Sequence, residues 1–121
     1  MHRRDRLSRM TSNPTLPDLA ARAAAFTADR DWGRFHDPKS LILALTGEVG
    51  ELAELFQWAA PSGEGVSATR AGEEMADVLI YLLHLANALD IDLGAAVTAK
   101  MDANDARFAV ADVMSSAPHK T

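Results

Sequence analysis

An all-α fold, an antiparallel bundle of about four helices, is predicted by three observations. Hydrophobic residues make up 48% of the chain, with Ala and Leu prominent, which is helix-forming material. β-branched residues are scattered and never alternate as a half-buried strand requires. Apolar residues recur at helical spacing in separate stretches divided by Gly, Pro and Ser clusters. With 121 residues the chain can build one core but not two, so a single domain is expected over 15–110. It is expected between a disordered basic leader, 1–14, and a disordered tail, 111–121.

The elements follow in order. Ser12-Asn13-Pro14 is a breaker, after which Thr15 or Asp18 can cap a helix over 16–30 with Leu16, Leu19, Ala23 and Phe26 on its apolar face. Residues 31–40, DWGRFHDPKS, read as a loop with Ser40 near the next N-cap. A second helix is predicted over 41–58 from Leu41, Leu45, Val49, Leu52 and Phe56. Gly47 and Gly50 inside it cost about 1 kcal/mol each relative to Ala, which implies close approach by another backbone or a ligand. The polar stretch 61–69 is a loop, and a third helix over 70–89 carries Met75, Val78, Leu79, Leu82, Leu83 and Leu85. A turn at 90–94 leads to a fourth helix over 95–106. The apolar face of the second helix is too wide for one helix contact, so the bundle is expected to be completed by oligomerisation, as a dimer or tetramer.

Charge and composition narrow the function. Residues 1–10 hold four arginines against Asp5, a surplus of three positive charges, so a net charge of −5 leaves −8 on the rest. An acidic body lacks the basic stripe that a phosphate backbone needs, which argues against nucleic-acid binding. The basic start has no apolar core of a secretory signal, and Met10 is an alternative start. No stretch has the unbroken apolar length to span a bilayer. The absence of cysteine excludes disulfides and thiolate metal sites and fits a cytoplasmic setting.

Two carboxylate pairs stand out: Glu48 and Glu51 in GEVGELAEL, then Glu74 and Asp77 in EEMADVLIYL. Residues three apart share a helix face, so each pair aims two oxygen donors one way. On facing helices they make a four-carboxylate cage suited to a hard cation such as Mg²⁺. The competing account puts all four on solvated faces, since Glu-x-x-Glu is common. Against it, Val49, Leu52, Val78 and Leu79 cannot be buried without drawing the carboxylates inward. Spacing alone leaves the two accounts level.

The run RDWGRFHDPKSLILALTGEVGELAELFQW, with EEMADVLIYL and KMDANDARF, resembles the MazG-like all-α nucleoside triphosphate pyrophosphohydrolases over about residues 15–108. Within them it is most similar to the deoxycytidine triphosphate pyrophosphatase branch. The resemblance implies that Glu48, Glu51, Glu74 and Asp77 hold Mg²⁺ on a triphosphate that is hydrolysed to monophosphate and pyrophosphate. Glu51, with Glu48, is the candidate for handling the water, as base or as ligand. It also implies that Trp32 and Trp58 flank the base, by stacking worth about 1–3 kcal/mol, against the alternative that both are core residues. Tyr81, one turn beyond Asp77, is implied at the substrate, and Lys100 and Asn104 on the fourth helix at the phosphates. His36 is a further polar candidate, against an ordinary role bonding its loop. The chain departs from the branch at Ala23, where relatives can carry a histidine near the base, and at Lys39-Ser40, where relatives open the helix with a basic residue and Asn. Preference for dCTP or a modified form of it is expected, with acceptance of dUTP or several bases as the alternative. A non-catalytic helical oligomerisation module is the reading from another class.

Overall fold

The computed structural model describes residues 13–115, and within them the chain is helical without strands. Helix α1 spans Leu16–Asp29, α2 Pro38–Glu54, α3 Ala68–Ala88 and α4 Leu93–Arg107, followed by the short α5, Val110–Val113. A 3₁₀ turn, Gly33–Phe35, lies in the first connection. Of the expected leader 1–14, residues 1–12 lie outside the described residues, and of the expected tail 111–121, residues 116–121 do; α5 runs into that tail, so 111–113 are helical rather than disordered.

Each main helix begins where a polar side chain takes over an orphan backbone N–H. At α1 the two predicted caps act together. Thr15 Oγ1 accepts from the Asp18 N–H at 3.3 Å, and Asp18 accepts from the Thr15 N–H at 2.9 Å. At α2 the prediction needs correcting. Asp37, not Ser40, is the N-cap, accepting from both the N–H (2.9 Å) and the hydroxyl (2.7 Å) of Ser40. Pro38 then fills the first helical position, where its missing N–H costs nothing. Ser67 caps α3 and Asp92 caps α4, each starting its helix two residues earlier than its apolar pattern indicates.

The second correction is at the end of α2. Its apolar pattern continues to Phe56, but the hydrogen bonds after Glu54 tighten to three-residue steps, from Leu55 to Leu52, Phe56 to Ala53 and Gln57 to Glu54. The chain therefore leaves the helical path before Trp58. Gly63, at φ 76°, then lies against Phe56: a Cβ there would stand 3.1 Å from the ring. At the ends of α1 and α3 the chain turns through Asp31 (φ 52°) and Asp90 (φ 55°), left-handed positions that a short Asp side chain tolerates.

Helices α2 and α3 form an antiparallel hairpin with the most extensive contact in the chain, and α1 packs on α3 and on α4. Helix α4 leaves α3 at 102°. Among the described residues few are buried: Leu41 from α2, and Leu83 and Ala86 from α3. Around them Ile42, Leu43, Val49, Met75, Leu79 and Ile80 on the same two helices stay exposed. The close approach expected at Gly47 and Gly50 does not come from the described residues, among which a Cβ at either position meets nothing within 4 Å. No single helix is long and apolar enough to cross a membrane among the described residues.

Candidate active site

The hairpin sets the first carboxylate pair against the second. One oxygen from each of Glu48, Glu74 and Asp77 lies within 4.8 Å of the other two, a group able to hold a metal ion. Glu51, predicted as the fourth member, is not in this trio, but it stands within hydrogen-bonding reach of Glu48 and Glu74. Helical spacing explains the arrangement: Glu48 and Glu51 share a face of α2, Glu74 and Asp77 a face of α3, and the antiparallel pairing brings the two faces together.

The chemistry of the donors fits a hard cation. Glu48 Oε2 and Glu74 Oε2 are buried without a hydrogen-bond partner among the described residues, a costly state for a carboxylate oxygen. A Mg²⁺ ion binds oxygen at about 2.1 Å, so Glu48, Glu74 and Asp77 would have to draw closer together than they stand here to hold one. Burial chiefly, with Glu51, Asp77 and Glu74 beside it, pushes the Glu48 carboxyl above its ordinary value. Burial also raises Glu74, helped by Glu51 and Asp77 and opposed by Arg70 one turn earlier on α3. Arg70 is a site neighbour that the spacing i, i+4 makes legible but that the motif reading passes over.

The other predicted residues divide into those near a cavity and those away from it. A cavity of about 500 Å³ lies between α1, the 3₁₀ turn and α3, lined by Thr27, Asp31, Gly33, His36, His84 and Asn87 among others. His36 is therefore on its wall. Trp32 sits between two lining residues but turns its ring edge-on to Phe26, centroids 5.7 Å apart, and stays 44% exposed. Trp58 is 90% exposed and has no ring partner among the described residues, so one chain does not bring the two indoles together. Tyr81 is half-buried between the carboxylates and the cavity, with its ring 6.1 Å from that of His84. Lys100 is exposed and Asn104 half-buried on α4, and Lys100 is not among the charges that act on Glu48 or Glu74.

His84 is the residue that the sequence reading missed. Its ring lies 4.6 Å from that of His36, and its Nδ1 stands 3.5 Å from Thr27 Oγ1. Burial, with His36 second, lowers its pKa from 6.5. The signal was present: Asp77, Tyr81 and His84 are at i, i+4 and i+7, one line along α3.

Comparison with known proteins agrees with this geometry. The curated relatives include dCTP pyrophosphatase 1 of Mus musculus, 50% identical over 84% of this chain and 64% of the relative. The Homo sapiens protein of the same name is 50% identical over 78% and 59%. The chain thus spans somewhat less than two thirds of the length of these relatives. The crystal structure of a pyrophosphatase from Archaeoglobus fulgidus superposes with a TM-score of 0.69 at 36% identity, covering 77% of this chain and 91% of that one. The MazG nucleotide pyrophosphohydrolase domain matches residues 36–109, which include the 3₁₀ connection's end, both carboxylate pairs and α4. The chain belongs to the MazG nucleotide pyrophosphohydrolase family.

Proposed function

We propose that this chain is a Mg²⁺-dependent pyrophosphohydrolase that converts dCTP, or a modified dCTP, to the monophosphate and pyrophosphate, clearing surplus or damaged nucleotide from the precursor pool. The observation that carries the reading is the carboxylate cage with two orphaned buried oxygens, in a chain half identical to proteins named dCTP pyrophosphatase 1.

Glu48, Glu74 and Asp77 hold the ion, and Glu51 completes the set or orients and deprotonates the attacking water. A bound Mg²⁺ supplies Lewis-acid neutralisation of charge on the triphosphate oxygens. Tyr81 lies between the cage and the cavity, on the path from phosphate to base. Trp32, Trp58 and His36 are assigned to the base end, Lys100 and Asn104 to the phosphates.

Assembly is part of this proposal, because these last assignments call for it. An exposed Trp58 and a helix α4 that turns away from the cage leave the assigned set spread over one chain. The uncovered apolar face of α2 and α3 suits a second copy, giving a dimer or a dimer of dimers. Ala23 favours a second reading, broader acceptance of pyrimidine nucleotides, because a methyl group offers no hydrogen bond.

A panel of deoxynucleoside and nucleoside triphosphates with Mg²⁺ tests the reading. The expected result is fastest turnover of dCTP among unmodified nucleotides, with dUTP following and dATP far behind. Equal turnover of dATP and dCTP contradicts the cytosine preference.

A further inference from the structure

The cavity between α1 and α3 has polar chemistry that the carboxylate cage does not explain. Ala24, Ala28 and Ala88 form part of its wall, and Thr27, Asp31, His36, His84 and Asn87 bring polar groups to it. His84 is the most committed of them. With Nδ1 beside Thr27 Oγ1, its Nε2 is the ring nitrogen without a partner among the described residues. Asn87 is similarly divided: Nδ2 donates to the Ala20 carbonyl at 3.0 Å, which leaves Oδ1 as a spare acceptor. Unspent hydrogen-bonding capacity on the wall of a roomy cavity is what a ligand-reading site requires.

Position relates the cavity to the cage. Asp77, Tyr81 and His84 lie along one face of α3, and the seven residues from Asp77 to His84 rise about 10 Å. That is the scale of the separation between the phosphates and the base of a nucleotide. A triphosphate at the cage would lay its sugar past Tyr81 and its base in the cavity. Resting on the reading under Proposed function, we propose that His84, held by Thr27, is a specificity-determining residue that hydrogen-bonds the polar edge of the substrate base. It occupies the role that Ala23, on the facing helix α1, has no atoms to fill. Asn87 Oδ1 adds an acceptor matched to an exocyclic amino group, which cytosine has and uracil lacks.

The test compares wild-type protein with His84→Ala and His84→Gln in steady-state kinetics on dCTP, dUTP and dATP. For His84→Ala the expected result is a KM for dCTP raised roughly ten-fold or more, kcat within about two-fold, and a reduced preference for dCTP over dUTP. His84→Gln keeps a hydrogen-bonding head and is expected to recover part of the loss. An unchanged KM and base ranking in folded, active His84→Ala overturns the assignment and leaves the proposed activity standing. Absence of turnover by the wild type instead overturns the reading beneath it. Should His84→Ala not fold, the unmodified protein titrated with dCMP decides: the His84 ring proton resonances must shift and saturate, and resonances that stay still overturn the assignment.

Discussion

Glu48 and Glu74 each hold a buried carboxylate oxygen that nothing in the described chain satisfies, and Glu51 and Asp77 add like charge beside them. Such a cluster opposes folding until a cation or a proton relieves it. Glu48→Gln should therefore separate activity from stability. Turnover is expected to fall by at least about 100-fold as a charged ligand is lost, while the metal-free protein melts at a higher temperature than wild type. Kinetics and thermal melts in chelator check both halves, and near wild-type pyrophosphate release would sink the metal assignment. The same groups set a pH dependence. The folded pKa values of Glu48 and Glu74 lie above the ordinary 4.5, so without metal the favourable contribution of these two groups is full below 4.5 and is lost as pH rises through the folded values. Mg²⁺ replaces those protons, so the rise in Tm on adding it should be larger near pH 7 than near pH 5. An increment that does not vary with pH would mean that proton and ion do not compete.

Helix ends were harder to read than helix faces, and Asp37 shows why. Periodicity located the apolar face of α2 through Leu41 and Leu45, but the start was decided by two hydrogen bonds to Ser40 and by Pro38, local features the pattern does not contain. Asp37→Ala should cost about 1 kcal/mol of stability, measured as a shift of the denaturation midpoint without loss of helix count. No change would show that backbone and water cap α2 equally well. The grouping of Glu48 with Glu74 and Asp77 was legible because i, i+3 spacing is a property of each helix alone, while Glu51, expected with them, stands outside the trio. The cavity was not, because Thr27 and His84 are far apart in sequence and meet only when α1 packs on α3. Trp58 is intermediate: its place in the motif was readable, but the tightening of the chain after Glu54 that leaves it exposed was not.

As a whole molecule the chain is poorly closed. Among the described residues Leu41, Leu83 and Ala86 are the buried hydrophobic ones, while Ile42, Leu43, Val49, Met75, Leu79 and Ile80 leave an apolar surface across α2 and α3. Gly47 and Gly50 border it with open space above them. Burial of this face against a second copy would account for both features, and on that proposal light scattering at micromolar concentration should return a dimer or tetramer. A stable monomer would contradict that assembly. The central claim, that these carboxylates direct metal-dependent cleavage of a nucleoside triphosphate to pyrophosphate, is tested most directly by following dCTP with the protein and Mg²⁺ by phosphorus NMR. The account predicts that dCMP and pyrophosphate appear together, without orthophosphate, and that chelator or Glu48→Gln abolishes both signals. Release of orthophosphate with dCDP, or pyrophosphate formation that persists in chelator, would contradict it.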